Sequence, residues 1–232
     1  MDLIEPGTDV ASYAEPRSLL NGLQDHWPLD EADGDANDYH GGLTLTDNNT
    51  VTSTDGNFGT ARQFTAANSE YFSLDDRRLD VDGGSFTFAL WLKLDSTSVF
   101  GRTLLCKNNS GAREYLLNVD GASALNFVTG DGTATTATTI STGTWYFVVG
   151  GYDAGNALAF IQLNDEAMVT AAVATPAAAE AVEFRLGRDK DLAVSEYWDG
   201  AIQSVGFWRR VLSEGDIARL YNNGAGLPYP FR

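Results

Sequence analysis

Ten short β-type runs follow one another between residues 59 and 210: "GTARQF", "EYFSL", "SFTFALWLKL", "RTLLCK", "EYLLNV", "ALNFVT", "TWYFVVGGY", "ALAFIQL", "VEFRLGR" and "AIQSVGFWRR". Clusters of Gly, Asn and Asp separate them. Strand-length runs divided by turn chemistry predict an antiparallel β-sandwich. The chain has 232 residues, and all-β domains of about 200–250 residues fold as one unit. Hydrophobic residues at 43% and aromatics at 11% are enough to fill one large core.

Within "SFTFALWLKL", Phe86, Phe88, Leu90, Leu92 and Leu94 alternate with Ser85, Thr87, Ala89, Trp91 and Lys93. One face is fully apolar, and Trp91 makes the other partly apolar, so this strand is expected at the centre of its sheet. In "TWYFVVGGY" two glycines end an apolar run, which predicts a bulge or a close backbone approach in place of a regular ladder. The convincing helix is "LSEGDIARLYNNG". Ser213 is its N-cap, Glu214 and Asp216 lie in its first turn, Ile217, Leu220 and Tyr221 share a face, and Gly224 lies beyond its end. The Ala-rich "AAVATPAAAEAV" has Pro176 in its middle and reads as a strand end and loop. Residues 1–18 hold Pro6, Pro16 and no sustained period, and are expected to form an arm that tethers or swaps.

Thirty-two acids against fifteen bases give a net charge of −17. That charge repels phosphate backbones and anionic headgroups, so nucleic acid is not an expected partner. No apolar stretch reaches the roughly 18 residues of a membrane span, so membrane insertion is not expected. Residues 1–16 have neither a basic nor an apolar leader region, so export by a cleaved leader is not expected either. Cys106 is the single cysteine and reads as a buried thiol within a strand.

Three stretches together resemble the laminin-G-like family of concanavalin A-type jelly rolls: "LQDHWPLDEADGD", "SFTFALWLKLD" and "YWDGAIQSVGFWRRVLSEGDIARLYNNG". The resemblance spans roughly residues 19–225, within a domain at 19–232, and leaves out the arm and the tail "AGLPYPFR". It implies an all-β antiparallel jelly-roll sandwich with one short C-terminal helix, two curved sheets face to face, and chain ends close together. Asn164-Asp165 stands where many members carry Asp-Gly, a substitution a tight turn still accepts.

Glycoside hydrolases of this architecture place Glu-x-Asp-x-Glu on one strand, so that alternation puts all three carboxylates on one face. This sequence has no such triplet, and its acidic clusters "LDEADGD" and "SLDDRRLDVD" lie in turn-like stretches. His26 and His40 both lie near the start, and no Gly-x-Ser-x-Gly elbow is present. No catalytic residues are assigned.

The stretch "HWPLDEADGDANDY", residues 26–39, concentrates carboxylates without a base. Asp33, Asp35 and Asn37 mimic the start of an EF-hand, but Asp38 and Thr44 occupy the positions that require Gly and Glu. The resemblance implies another structural calcium site, formed by Asp30, Asp33 and Asp38 with Asp199 nearby. A solvated turn is the competing reading of the same residues. Of the tryptophans, Trp91, Trp145 and Trp208 read as core. Trp198, beside Tyr197 and Asp199, is the candidate for contact with a carbohydrate ligand.

The expectation is a non-enzymatic structural or adhesion protein, joined through its arm to other subunits of a virion such as a phage capsid, tail or fibre, or to copies of itself as a homo-oligomer. Its domain would be presented to cell-surface glycans. This combines a domain type normally found outside cells with a chain that has no leader and no disulfide. A free, extracellular, calcium-dependent lectin is the alternative, and a glycan hydrolase or lyase follows.

Overall fold

The computed structural model describes residues 18–98, 101–109, 112–189 and 196–232. The expected arm at 1–18 lies, except for Ser18, outside the described residues. Fifteen strands and one α-helix follow in order. The first half contains β1 (Leu23–Trp27), β2 (Thr46–Asn48), β3 (Thr52–Asp55), β4 (Thr60–Phe64), β5 (Tyr71–Leu74), β6 (Phe86–Leu94), β7 (Arg102–Asn109) and β8 (Ala112–Val119). The second half contains β9 (Ala124–Thr129), β10 (Gly132–Thr139), β11 (Trp145–Asp153), β12 (Leu158–Leu163), β13 (Val169–Ala172), β14 (Phe184–Leu186), β15 (Gly200–Trp208) and α1 (Glu214–Tyr221).

The strands form two antiparallel sheets. One runs β13-β12-β11-β6-β15-β4-β3, with β1 also paired to β15; the other runs β10-β9-β8-β7-β14-β5-β2. The architecture is the expected jelly-roll sandwich, and each of the ten predicted runs contains a strand. Five further strands, β1, β2, β3, β10 and β13, come from sequence with weaker alternation. "GTATTATT" of β10 is nearly all Gly, Ala and Thr and forms one edge of the second sheet. "AAVATPAAAEAV" divides as expected into the end of β13 and a loop.

β6 lies between β11 and β15 in the first sheet. Its Phe86, Phe88, Leu90, Leu92 and Leu94 face the main core between the sheets. Ala89 and Trp91 face away, into a second apolar cluster with Phe147, Val149, Phe160 and Trp208. α1 and the chain ends cover that cluster through Leu19, Leu23, Leu212, Ile217, Leu220 and Phe231. The first described residues and the C-terminal segment therefore meet on this sheet, with Leu19 and Phe231 both in that cluster and Trp208 Nε1 donating to the Leu19 carbonyl at 2.7 Å. Ser213 caps α1 with a full capping box to Asp216, whose carboxylate also takes Arg210 at 2.7 Å.

The expectation for β11 needs correction. Its ladder to β6 is unbroken from Trp145↔Lys93 to Tyr152↔Phe86, so the paired glycines make no bulge. The close approach is real: a Cβ on Gly150 would lie 2.3 Å from the Phe127 ring, which crosses the core from β9. The Asn164 turn closes β12 onto β13, with Asn164 at φ 52 and Glu166 N–H donating to Leu163 O at 3.0 Å.

A methyl group at residue 150 has no space unless Phe127 leaves its position. Gly150→Ala is expected to lose about 1–3 kcal/mol, measured as a lower urea midpoint at unchanged slope; a variant as stable as the parent would contradict this packing.

Candidate functional site

The acidic stretch leaves β1 and folds into a loop fastened from two sides. The first fastening is Asp38. Its Oδ1 accepts from the backbone N–H of His26, His40 and Gly41 at 2.8–3.0 Å, and its Oδ2 accepts from Leu43 N–H at 2.9 Å. Burial pushes the Asp38 carboxyl up, but these backbone bonds, with one from Asp25, hold it below its ordinary value. Asp25 behaves in the opposite way. Burial first, then the hydrogen bond and repulsion of Asp38, push it up to about 7. The two carboxyls therefore act as a pair in which Asp25 holds the proton and Asp38 the charge.

The second fastening is Arg62 of β4, which is fully buried. Its Nη2 donates to the carbonyls of Gly34, at 2.8 Å, and Val51. Its guanidinium lies 3.8 Å from Glu31 and 3.6 Å from Asp47, over the Phe72 ring at 4.9 Å. The loop thus carries its own counter-cation. Glu31 also accepts from Asn37 N–H at 2.6 Å, and Asp35 from Asp47 N–H at 2.8 Å.

A cavity of about 250 Å³ opens beside this loop, lined by His26, Asp30, Tyr39, Phe58, Gln203, Tyr229 and their neighbours. Five segments build it, the fifth being the β15 bulge with Gln203 and Ser204. β1 supplies His26, the acidic loop supplies Pro28, Asp30 and Tyr39, the β3–β4 turn supplies Phe58, and the C-terminal tail supplies Pro228 and Tyr229. The β15 ladder shifts register between Gln203 and Gly206, with Ser204 at φ 54. This bulge turns Ser204 Oγ to within 3.1 Å of His26 Nε2. Gln203 holds the Phe58 turn through Asn57 N–H at 3.0 Å and Thr60 O at 2.8 Å. The tail turns so tightly at Gly226 (φ 71) that a Cβ there would lie 2.2 Å from Phe58. The Tyr229 ring stacks on His26 at 4.9 Å, and its hydroxyl lies 3.3 Å from His40 Nδ1.

The electrostatics are those of a neutral pocket floor with an acidic lip. Burial pushes His26 down to about 3, so it is uncharged at neutral pH. Its Nδ1 is buried without a hydrogen-bond partner. Asp30 is exposed and accepts from the Tyr39 hydroxyl at 3.2 Å. The Tyr39 ring is 52% exposed, and the other exposed large apolar side chain among the described residues is Leu20.

The residues expected to bind calcium are not brought together around one point in this structure. Asp30 points at Tyr39, Asp33 is exposed, and both oxygens of Asp38 are occupied by backbone N–H groups. Asp199 accepts from Ala66 N–H at 3.0 Å and from Ser96, with Arg102 at 3.8 Å. Among the described residues no group of three or more His, Cys, Asp or Glu could hold a metal. Trp198 requires correction as well, because it is fully buried in the main core and offers no ligand face. Its backbone N–H donates to Gly187 O at 2.8 Å, while the neighbouring Tyr197 is also buried, 7% exposed, and packs against Arg188 and Tyr71. Trp91 and Trp208 are buried as expected, while Trp145 is half-buried, with Lys93 over its ring at 5.4 Å.

The cavity residues Tyr39, Phe58 and Tyr229 carry no sequence signal as a group. The "YPF" of the tail was the available hint, an aromatic cluster with no strand to belong to.

Two measurements check this account. The folded carboxyl of Asp25 titrates near 7 against 3.8 unfolded. Its contribution to stability is therefore complete below the unfolded value and lost as pH rises through 7. Asp25→Asn, which stays neutral, is expected to gain melting temperature over the parent progressively from pH 4 to pH 7.5. His26 works with the opposite sign, its contribution being lost as pH falls below 6.5. Second, melting curves in millimolar calcium and in excess chelator are expected to superimpose; a calcium-dependent rise would show that the carboxylates rearrange around an ion.

Domain 4 of AbnA, a GH43 extracellular arabinanase from Geobacillus stearothermophilus, solved in complex with arabinotriose, superimposes with a TM-score of 0.64 at 17% identity, over 84% of this chain and 96% of that one. The binding domain of Paraclostridial Mosquitocidal Protein 1 gives 0.73 at 10% identity, over 88% of this chain and 52% of that one. A Trypanosoma rangeli sialidase gives 0.66 at 12% identity, over 97% of this chain but 37% of the enzyme. At these identities the likeness is one of fold. No curated protein matches the chain significantly in sequence. Residues 66–218 match the Laminin_G_3 family, described as the concanavalin A-like lectin/glucanases superfamily, and the chain belongs to that family.

Proposed function

We propose that this chain is a non-catalytic glycan-binding module that seats a sugar in the cavity between the acidic loop and the C-terminal tail. The observation that carries the reading is Tyr39, a large aromatic ring left half in solvent at the mouth of a cavity whose walls are aromatic and proline rings. A pyranose or furanose presents C–H groups to such rings and hydroxyls to a few fixed polar atoms, here Asp30, Ser204 and Thr60. The domain of the arabinanase, solved with arabinotriose, supports a saccharide as the ligand class.

His26 and Ser204 resemble a nucleophile and base only in distance. A general base acts best with a pKa near the working pH; burial keeps His26 far below that. No carboxylate orients its Nδ1, as the acid of a catalytic triad would. The pair is better suited to accepting and donating hydrogen bonds to a ligand hydroxyl. Attachment to an assembly through residues 1–18 is an independent proposal, which a change in oligomeric state on deleting that segment would test.

A glycan array followed by calorimetry of the hits tests the sugar-binding reading. Tyr39→Ala is expected to weaken a pocket-bound saccharide by about tenfold, the loss of roughly 1.4 kcal/mol, without changing the melting temperature. Binding that ignores both Tyr39→Ala and Tyr229→Ala would refute the pocket as the site.

A further inference from the structure

The cover over the first sheet leaves a second opening. α1 and the turn between β12 and β13 stand apart, and a groove of about 630 Å³ lies between them. Its floor belongs to the outer apolar cluster. Leu212 and Ile217 are buried in that cluster, while Met168, Val211 and Tyr221 pack against it and stay partly open to solvent. Tyr221 stacks in turn on Trp91 and Phe147. Apolar side chains left open along one concave surface mark a contact site.

The rim of this groove is acidic. Asp165 and Glu166 reach it from the β12–β13 turn and Glu214 from the first turn of α1, and among the described residues no Lys, Arg or His lines it. Glu214, Ala218 and Tyr221, spaced i, i+4, i+7, turn one face of α1 toward the groove, and Arg210 is engaged by Asp216 at 2.7 Å. None of the three rim carboxylates takes part in an ion pair among the described residues. The amides beside them are largely committed: Gln162 Nε2 donates to Asn164 O at 3.2 Å, and Asn164 Oδ1 accepts from Phe147 N–H at 2.9 Å. The rim therefore offers mainly acceptors. Its carboxylates do not converge as a metal cage would, since no group of three or more His, Cys, Asp or Glu among the described residues could hold an ion. They frame an apolar floor instead.

We propose that this groove is a docking site for a basic segment of a partner protein, which seats an apolar side chain such as Leu, Met or Phe on the floor and sets Lys or Arg against Asp165, Glu166 and Glu214. Charge complementarity selects that occupant. Lys and Arg carry donors and no acceptor, and their bonds to ionised carboxylates are the strong class. The net charge of −17 draws a cationic segment toward the groove. The same charge disfavours the occupants nearest to hand. Residues 1–17 carry four acids and one base, and a second copy of the chain brings a further −17, so either would set carboxylates against carboxylates. The groove shares no lining residue with the cavity at Tyr39, so this inference stands apart from the sugar-binding reading.

An array of labelled synthetic peptides, titrated with the full chain and read by fluorescence anisotropy, tests it. Each peptide sets Leu, Met or Phe between Lys or Arg residues; one matched series carries Glu for the bases, and another carries Ser for the apolar residue. Saturable binding of basic–apolar peptides is expected. Asp165→Asn with Glu166→Gln is expected to weaken it roughly fivefold, and Ala218→Trp, which puts an indole into the groove from an exposed helix position, about tenfold. Asp75→Asn with Asp82→Asn removes the same charge at exposed positions outside the groove and is expected to change affinity by less than about twofold. If Ala218→Trp disturbs the helix, seen as a lower melting temperature, the Asp165 and Glu166 variant reads the same site from a surface turn. The proposal is overturned by an array in which no basic–apolar peptide saturates, by equal binding of the Glu or Ser series, or by binding that the groove variants leave within about twofold. An equal loss in the Asp75 and Asp82 variant overturns it too, because capture would then follow net charge alone.

Discussion

Everything on one side of this molecule follows from a sheet that is apolar on both faces. β6, β11 and β15 turn Phe, Leu and Val inward to the sandwich core, and also turn Trp91, Phe147, Val149 and Trp208 outward. Each large side chain of this kind is worth about 1.5–3 kcal/mol once removed from water. A bare outer face would be both costly and adhesive. The chain resolves this by folding its last segment back over the sheet. α1 lays Tyr221 on Trp91 and Phe147 and adds Ile217 and Leu220 to the same cluster, and the tail adds Phe231. The cavity is a product of that cover, formed where the tail runs past β1 and meets the acidic loop without filling the space between them.

The acidic loop is the other wall, and its stability has to be explained against its charge. Five carboxylates in residues 26–39 would repel one another in a solvated turn. The fold answers with one guanidinium and one shared proton. Arg62 enters from β4 and stands beside Glu31 and Asp47, and Asp25 takes a proton so that Asp38 alone can hold four backbone N–H groups. A loop held by backbone bonds and an internal cation presents Tyr39 in a fixed orientation, which lowers the entropy lost when a ligand docks on it.

The legible part of this fold was the part governed by period. Alternation in "SFTFALWLKL" gave both the central place of β6 and its second buried face, and Ser213 through Gly224 gave α1 nearly to the residue. Position in three dimensions was not legible. Asp199 and Asp38 look like one acidic set on paper, yet they are anchored to different neighbours, Ser96 and Arg102 in one case and the 38–43 backbone in the other. Trp198 reads as a rim aromatic because Tyr197 and Asp199 flank it, but the fold buries both rings, Trp198 in the main core and Tyr197 against Arg188 and Tyr71. The cavity was invisible because its walls come from five segments, two of them a bulge and a tail that no local pattern announces.

The two outer faces of the sandwich differ in a way that bears on how it meets a partner. The first sheet spends its outer face on α1 and the tail, leaving openings at the seam where Tyr39 sits and between α1 and residues 162–168. On the second sheet the outward positions are Asn, Thr, Arg and Ser around a narrow apolar strip, and Thr103, Cys106, Asn108 and Arg185 among them are buried. Natural sheets that face plain solvent show polar side chains free to bond water; here several are buried with their hydrogen-bonding capacity unused.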